Sequence, residues 1–163
     1  MTVLSLQFRE ARPEDLPALV ALLADDVLGA AREDRGPGLD PGYAAAFQAI
    51  AVDPNNRLIV GTLGDDVAGP RESDAVVAFC QLTVIPCLSR RGRARAQVES
   101  VRVRTDLRGR GLGAALMAHV IGLARAAGCG LLQLTTATMR ADAQRFYAGL
   151  GFQATHVGMK LDL

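Results

Sequence analysis

Lysine is almost missing from this chain. Of 18 basic residues, only Lys160 is not arginine. The phosphate-binding pattern G-x-x-x-x-G-K-[ST] is therefore absent, which excludes ATPase or kinase chemistry of that kind. Aromatic residues make up 4% of the 163 positions, too few to stack nucleic-acid bases along a basic face. Neither sign of charge dominates: the net charge is +1, so no long-range field draws in nucleic acid or an anionic membrane. Any anion site must be local. Cys80, Cys87 and Cys129 are an odd set without a C-x-x-C pair, and the start "MTVLSLQFRE" lacks a basic, then apolar, leader. Both features fit a reducing cytoplasm. His119 and His156 have no partner at ligand spacing, so no metal is expected. Ser89 and Ser100 lack a G-x-S-x-G setting, and the cysteines give no support for a thiol hydrolase. No apolar run reaches the ~18 residues of a membrane-spanning helix, because "AALMAHVIGLARAAG" is broken by His119 and Arg125.

What is present is enough apolar residue for one core. Half of the chain is hydrophobic, which suits a single domain over residues 1–163 that buries roughly 70% of its unfolded surface. "LSLQFREAR" reads as a strand, and "PEDLPALVALLADDVL" as a helix with Leu16, Leu19, Val20 and Leu23 on one face. "GAAREDRGPGLDPG" is a loop and "YAAAFQAIAVD" a second helix. "RLIVGTL" and "AVVAFCQLTVIP" are strands expected to pair antiparallel through the polar connection "GDDVAGPRESD". In "AQVESVRVR", strict alternation would place Glu99 on the same side as Val101 and Val103. A helix from about Leu112 to Ala127, the strand "GLLQLTT", a short helix "ADAQRFYAGL" and a closing strand "FQATHVGMKLDL" complete the chain.

The informative stretch is "VESVRVRTDLRGRGLGAALMAHV", a strand that runs through Gly109, Gly111 and Gly113 into a helix. Glycines remove β-carbons where backbone N–H groups turn toward one point, and a helix start adds unpaired N–H groups and the positive end of its dipole. Arg108 and Arg110 add charge, so the turn suits a phosphate or pyrophosphate. Gly109, Gly111 and Ala114 satisfy G-x-G-x-x-A, the dinucleotide fingerprint. That fingerprint expects an acid at the end of the next strand, where this chain has Thr135 and Thr136.

The run from Glu99 to Ala114 resembles motif A of the GNAT N-acetyltransferases, with Arg108, Gly111 and Gly113 matching its R/Q-x-x-G-x-G/A core. "ADAQRFYAGLGF" is similar to the family's C-terminal motif, and "FREARPEDLPAL" to its first strand and helix. The resemblance implies a mixed α+β fold, a mostly antiparallel twisted sheet of about six to seven strands flanked by about four helices. It implies acetyl-coenzyme A as cosubstrate, its pyrophosphate held over Arg108, Gly109, Arg110, Gly111, Leu112, Gly113 and Ala114. The pantetheine arm would pair with the backbone of Val101, Arg102 and Val103. Tyr147 would point at the sulfur and donate a proton to it, while Phe146 packs inward. Many members have asparagine where this chain has Arg140, which is left as a phosphate contact.

Acetyl transfer to an amine needs the neutral base, yet a free alkylamine has a pKa near ~10.4. Glu99 is the candidate to remove the proton if burial raises its pKa; otherwise it is a strand carboxylate paired to an arginine. The loop "SRRGRAR" carries Arg90, Arg91, Arg93 and Arg95 and reads as a solvated hairpin, or as a contact for an anionic acceptor or a cofactor phosphate. "DRGPGLDPG" is placed to line an acceptor pocket, and the terminal strand to pair across a homodimer. The expected activity is transfer of an acetyl group to a primary amine on a small molecule or peptide. The alternatives are a non-catalytic acyl-coenzyme A sensor and, less supported, a nucleotide-binding regulatory domain.

Overall fold

A computed structural model describes residues 4–25, 27–30, 32–33, 38–64 and 74–163. The connection expected between the second and third strands lies mostly outside these residues, as does part of the loop "DRGPGLDPG". The described residues form one five-stranded sheet in the order β1 (Leu6–Glu10), β2 (Asn56–Leu63), β3 (Val76–Ile85), β4 (Arg95–Val103), β5 (Leu132–Gln133). The first four strands pair antiparallel, as the β-branched runs predict, and β5 joins β4 in parallel.

Helix α1 (Leu16–Leu23) follows a short 3-10 turn at Pro13–Asp15. Asp15 is 7% exposed, and its carboxylate accepts from Arg9 at 2.6 and 3.0 Å and from the Arg12 N–H at 2.7 Å. One acid thus fixes the exit of β1 and the entry of α1. Helix α2 (Val27–Ala30) is a single turn, and α3 (Pro41–Val52) starts where Asp40 accepts the Gly42 N–H at 2.6 Å, with proline at the first helical position. A four-residue turn, α4 (Ser89–Gly92), closes the β3–β4 hairpin. Helix α5 (Leu112–Ala126) crosses from β4 to β5, and α6 (Ala141–Gly149) follows β5.

The sheet has two differently covered faces. Leu116, Met117, Val120 and Ala124 recur along one side of α5 and bury against Ile59, Cys80, Leu82, Ala96 and Val98. On the other face, Leu19 and Leu22 of α1 and Phe47 of α3 cover Val60, Val76 and Phe79. A third cluster, Leu63, Val77, Leu107 and Leu112, anchors the end of the sheet where α5 begins.

The described residues hold five strands rather than six to seven, and six helical segments rather than about four. Two of the extra helices are only four residues long. The missing strand is "FQATHVGMKLDL": residues 152–163 pair with no neighbour, although Val157, Met159, Leu161 and Leu163 alternate as a strand would. Alternation describes a face to be buried, and among the described residues nothing covers these four side chains, each being at least 85% exposed. The "GLLQLTT" strand shrinks to two paired residues, Leu132 opposite Ala96 and Gln133 opposite Gln97.

Candidate active site

The sheet opens where β5 ends. Beyond Gln97, β4 keeps its bonds to β3 but has lost β5, so one edge of residues 98–103 lies open. In the same segment Ser100 has φ 53, and the register jumps so that Glu99 faces Gln81 while Arg102 faces Phe79. This β-bulge inserts one residue and reverses the alternation. Glu99 therefore shares a face with Gln81 and Arg102, whereas Val101 and Val103 pack against the α5 core on the opposite face. The expectation that Glu99 and the two valines lie on one side is corrected by this bulge. Glu99 is exposed and not partly buried, and among the described residues it forms no ion pair with an arginine.

The open edge leads to the glycine turn. Gly109 and Gly111 have φ 76 and 82, a backbone that a β-carbon disfavours, and nothing lies within 4 Å of where either β-carbon would be. Gly111 caps α5 and has no side chain to bond the first turn, so among the described residues no capping side chain occupies the N–H groups there. Gly113 serves a different purpose. A β-carbon there would stand 3.3 Å from Phe146 Cζ, so its absence lets α6 approach the start of α5. Leu112 is 2% exposed and pins the turn to Leu63, Val77 and Leu107. Ala114 is half-buried, and Arg110 is exposed beside the turn.

Arg108 is engaged with the end of β4 and with Asp25, just past α1. Its Nε donates to the Val103 carbonyl at 3.0 Å and its terminal nitrogen to the Asp25 carbonyl at 2.9 Å. Asp25 also accepts the Thr105 N–H at 2.8 Å and the Thr105 hydroxyl at 2.7 Å. Sequence reading missed Asp25 and Thr105, since they are joined across 80 positions and neither stands in a motif.

Tyr147 packs on the α5 side of the sheet with edge-on contacts to Phe146 and Phe152 at ring separations of 5.1 and 5.8 Å. Burial raises its phenol above the ordinary value, opposed by the charges of Arg140 and Arg102. Arg140 immediately precedes α6, and Arg102 donates to the Val101 carbonyl at 3.1 Å. Glu99 and Tyr147 thus stand on opposite faces of the sheet. The other nucleophiles are placed differently: burial pushes the Cys80 thiol up to about 12, and His119 is stacked on Phe8 at 4.4 Å.

An uncapped helix start, two left-handed glycines and a sheet edge released by a short neighbour place unpaired backbone groups of the kind that bind phosphate and amide groups near one another. Comparison with known proteins gives the same direction. A structure described as a transcriptional regulator from Bacillus halodurans C-125 superposes with a TM-score of 0.89 and 41% identity, over 98% of this chain and 100% of that one. An acetyltransferase from Trypanosoma brucei superposes with a TM-score of 0.74 and 27% identity, over 98% and 100% of the two chains. A glucosamine 6-phosphate N-acetyltransferase of Trypanosoma brucei brucei is 35% identical over 88 residues, 54% of this chain and 58% of that protein's length. Residues 24–152, from the end of α1 through the cradle to Phe152, match the Acetyltransferase (GNAT) family, and the chain belongs to that family.

Proposed function

We propose that this protein transfers the acetyl group of acetyl-coenzyme A to the primary amine of a small molecule, by direct attack within a ternary complex. The observation that carries the reading is the uncapped start of α5 at Gly111, continuous with the β4 edge that β5 leaves open. The N–H groups of the first turn, from Gly111 to Ala114, would hold the pyrophosphate, with the Arg110 charge beside them. The backbone of Val101, Arg102 and Val103 would take the pantetheine amides as an added strand would. Acetyl-coenzyme A, when bound, supplies an activated thioester carbonyl and a thiolate leaving group.

Glu99, on the face opposite the valines, would accept the proton of the incoming ammonium directly or through water, so that nitrogen can bond to the carbonyl carbon. Tyr147 would hold its proton at neutral pH, because burial raises the phenol, and would donate it as the carbon–sulfur bond breaks. Arg140, close enough for its charge to act on the phenol, would stand toward the sulfur end of the cofactor. The named activity of the trypanosomal relative supports an amino-sugar acceptor for this chain as well.

A second reading, an acyl-coenzyme A sensor without turnover, is favoured by one observation: the relative at 41% identity is described as a transcriptional regulator. Calorimetric titration with acetyl-coenzyme A, using NADH and ATP as controls and Gly111→Glu as a blocked cradle, tests the common core of both. Binding of acetyl-coenzyme A alone, lost in the variant, supports it; preference for NADH overturns it. Release of free thiol on adding amines then separates enzyme from sensor.

A further inference from the structure

One line of side chains crosses the sheet beside Glu99. Asn56, Thr83, Gln97 and Gln133 stand opposite one another on β2, β3, β4 and β5. They are bonded along the line: Thr83 Oγ1 donates to Asn56 Oδ1 at 2.6 Å, and Gln133 Nε2 to Gln97 Oε1 at 2.8 Å. Gln81, in the next row with Glu99, donates to Asn56 Oδ1 at 3.0 Å. All five neutral side chains are half-buried. Further along this face the same strands carry Val60 and Phe79, covered by α1 and α3, so the polar row begins where the helical cover stops.

Neither a solvated face nor a core explains this composition. A solvated face tends to carry charges, and a core face is apolar. Here uncharged amides and a hydroxyl run across four strands, a distance of about 14 Å at ordinary strand spacing. The Gln97–Gln133 bond uses one oxygen and one N–H, which leaves the Gln97 amino group and the Gln133 carbonyl to serve a ligand.

Building on the acetyltransferase reading, the geometry points to this row as the acceptor floor, with a polyhydroxylated primary amine of the amino-sugar class as its ligand. A sugar hydroxyl both donates and accepts, as do these amides, so each can satisfy the other. A polyamine needs a free carboxylate for every further ammonium; Glu99, the only acid in these two rows, is occupied by the reacting nitrogen, and Asp53 at the far end already accepts the Asn56 amide at 2.7 Å and the Asn55 N–H at 2.9 Å. A hydrocarbon amine would bury the amides without partners, at about 1–3 kcal/mol for each group. The row thus discriminates by hydroxyl groups, which a site of this type does far more sharply than it discriminates by methylenes.

The experiment compares glucosamine, cyclohexylamine and spermidine at saturating acetyl-coenzyme A in the native protein and in Gln97→Leu. It also titrates glucosamine calorimetrically into the protein loaded with coenzyme A. Expected is at least a hundredfold preference in kcat/KM for glucosamine over cyclohexylamine. Gln97→Leu should lose tenfold or more for glucosamine, lose nothing or gain for cyclohexylamine because one unpartnered amide is gone, and bind acetyl-coenzyme A as before. Equal use of the three amines, or equal loss for all in Gln97→Leu, overturns the floor. Calorimetry separates the two levels: glucosamine binding that Gln97→Leu abolishes, without turnover, keeps the floor and removes the enzyme, whereas absent binding removes the floor.

Discussion

The Arg108 guanidinium lies 3.0 Å from the Val103 carbonyl and 2.9 Å from that of Asp25, bridging the end of β4 to the end of α1. The arginine of the glycine motif is therefore a brace for the turn, and its effect on cofactor would pass through the backbone it holds. Arg108→Ala should raise the acetyl-coenzyme A Kd about tenfold while costing only about 1 kcal/mol of stability, since the side chain is substantially exposed. Arg108→Lys should fare no better, because one ammonium on a flexible stem cannot reproduce the fixed fork that spans two carbonyls. Calorimetry with urea unfolding checks both. Rescue by lysine would show that charge at the cradle, not the brace, is what matters.

Gly111 and Gly113 stand two positions apart and should fail in different ways. At Gly111 a methyl group meets nothing, so alanine brings only the strain of φ 82, about 1–2 kcal/mol, placed where the backbone must meet phosphate. Acetyl-coenzyme A affinity should fall with little change in the aromatic near-ultraviolet dichroism. At Gly113 the methyl group meets Phe146 at 3.3 Å and pushes on α6. That variant should disturb the near-ultraviolet signal of the Phe146, Tyr147 and Phe152 group and lower kcat through Tyr147. Identical behaviour of the two variants would refute the division of labour.

Tyr147→Phe removes the hydroxyl and keeps the ring contacts. The buried phenol stays protonated through the neutral range, so kcat should fall about a hundredfold, within the usual span for a lost general acid. The Kd for acetyl-coenzyme A should not move. Glu99→Gln should instead flatten the acidic limb of the kcat/KM profile against pH. An unchanged profile would assign the base elsewhere.

How far the chain could be read in advance depends on where each constraint acts. The strand–turn–helix at Val98–Val120 is local: the positive φ at Gly109 and Gly111 is a need that glycine meets best, so the residues announce it, whereas the close approach of Gly113 to Phe146 belongs to the packing of α6. The bulge at Ser100 is not announced, because serine carries no preference for φ 53 and the extra residue follows from the pairing of β4 with β3. The face on which Glu99 lies was invisible for that reason. The Arg108–Asp25 brace joins positions 83 apart, and the polar row reads as four unrelated residues until the strands align.

Asp15 sets an acid limit on stability. Burial works to raise its pKa, but the Arg9 hydrogen bonds and the Arg12 N–H outweigh it, and the carboxyl is held below the ordinary value. A lowered folded pKa contributes stability that is fully present above the unfolded value near ~3.9 and is lost as pH falls through the folded one. Asp15→Asn should therefore cost about 1–2 kcal/mol at pH 7, where it leaves Arg9 only the more distant Asp74 carboxylate at 3.8 Å, and progressively less below pH ~4. Urea unfolding at pH 7 and pH 3 measures the difference. A gap that persists undiminished in acid would mean that packing, not ionisation, makes Asp15 matter.

Among the described residues nothing covers the apolar side chains of the carboxyl-terminal segment. Val157, Met159, Leu161 and Leu163 project at every second position, and each is at least 85% exposed. A β-carbon at Gly158 would stand 3.7 Å from the Thr135 methyl group, just past β5, yet among the described residues nothing covers the four side chains. An alternating apolar arm beside an unfinished sheet edge is what a strand exchanged between two copies looks like in one of them. Light scattering should accordingly give twice the mass of 17.2 kDa, and a chain ending at Thr155 should run as a monomer that still binds acetyl-coenzyme A. Val157→Asp with Leu161→Asp tests the same contact without shortening the chain, since charge on the arm blocks burial while leaving the cradle untouched. If the full-length protein is monomeric at ~100 μM, well above the concentration at which an obligate dimer dissociates, the arm has another role and the exchange is refuted.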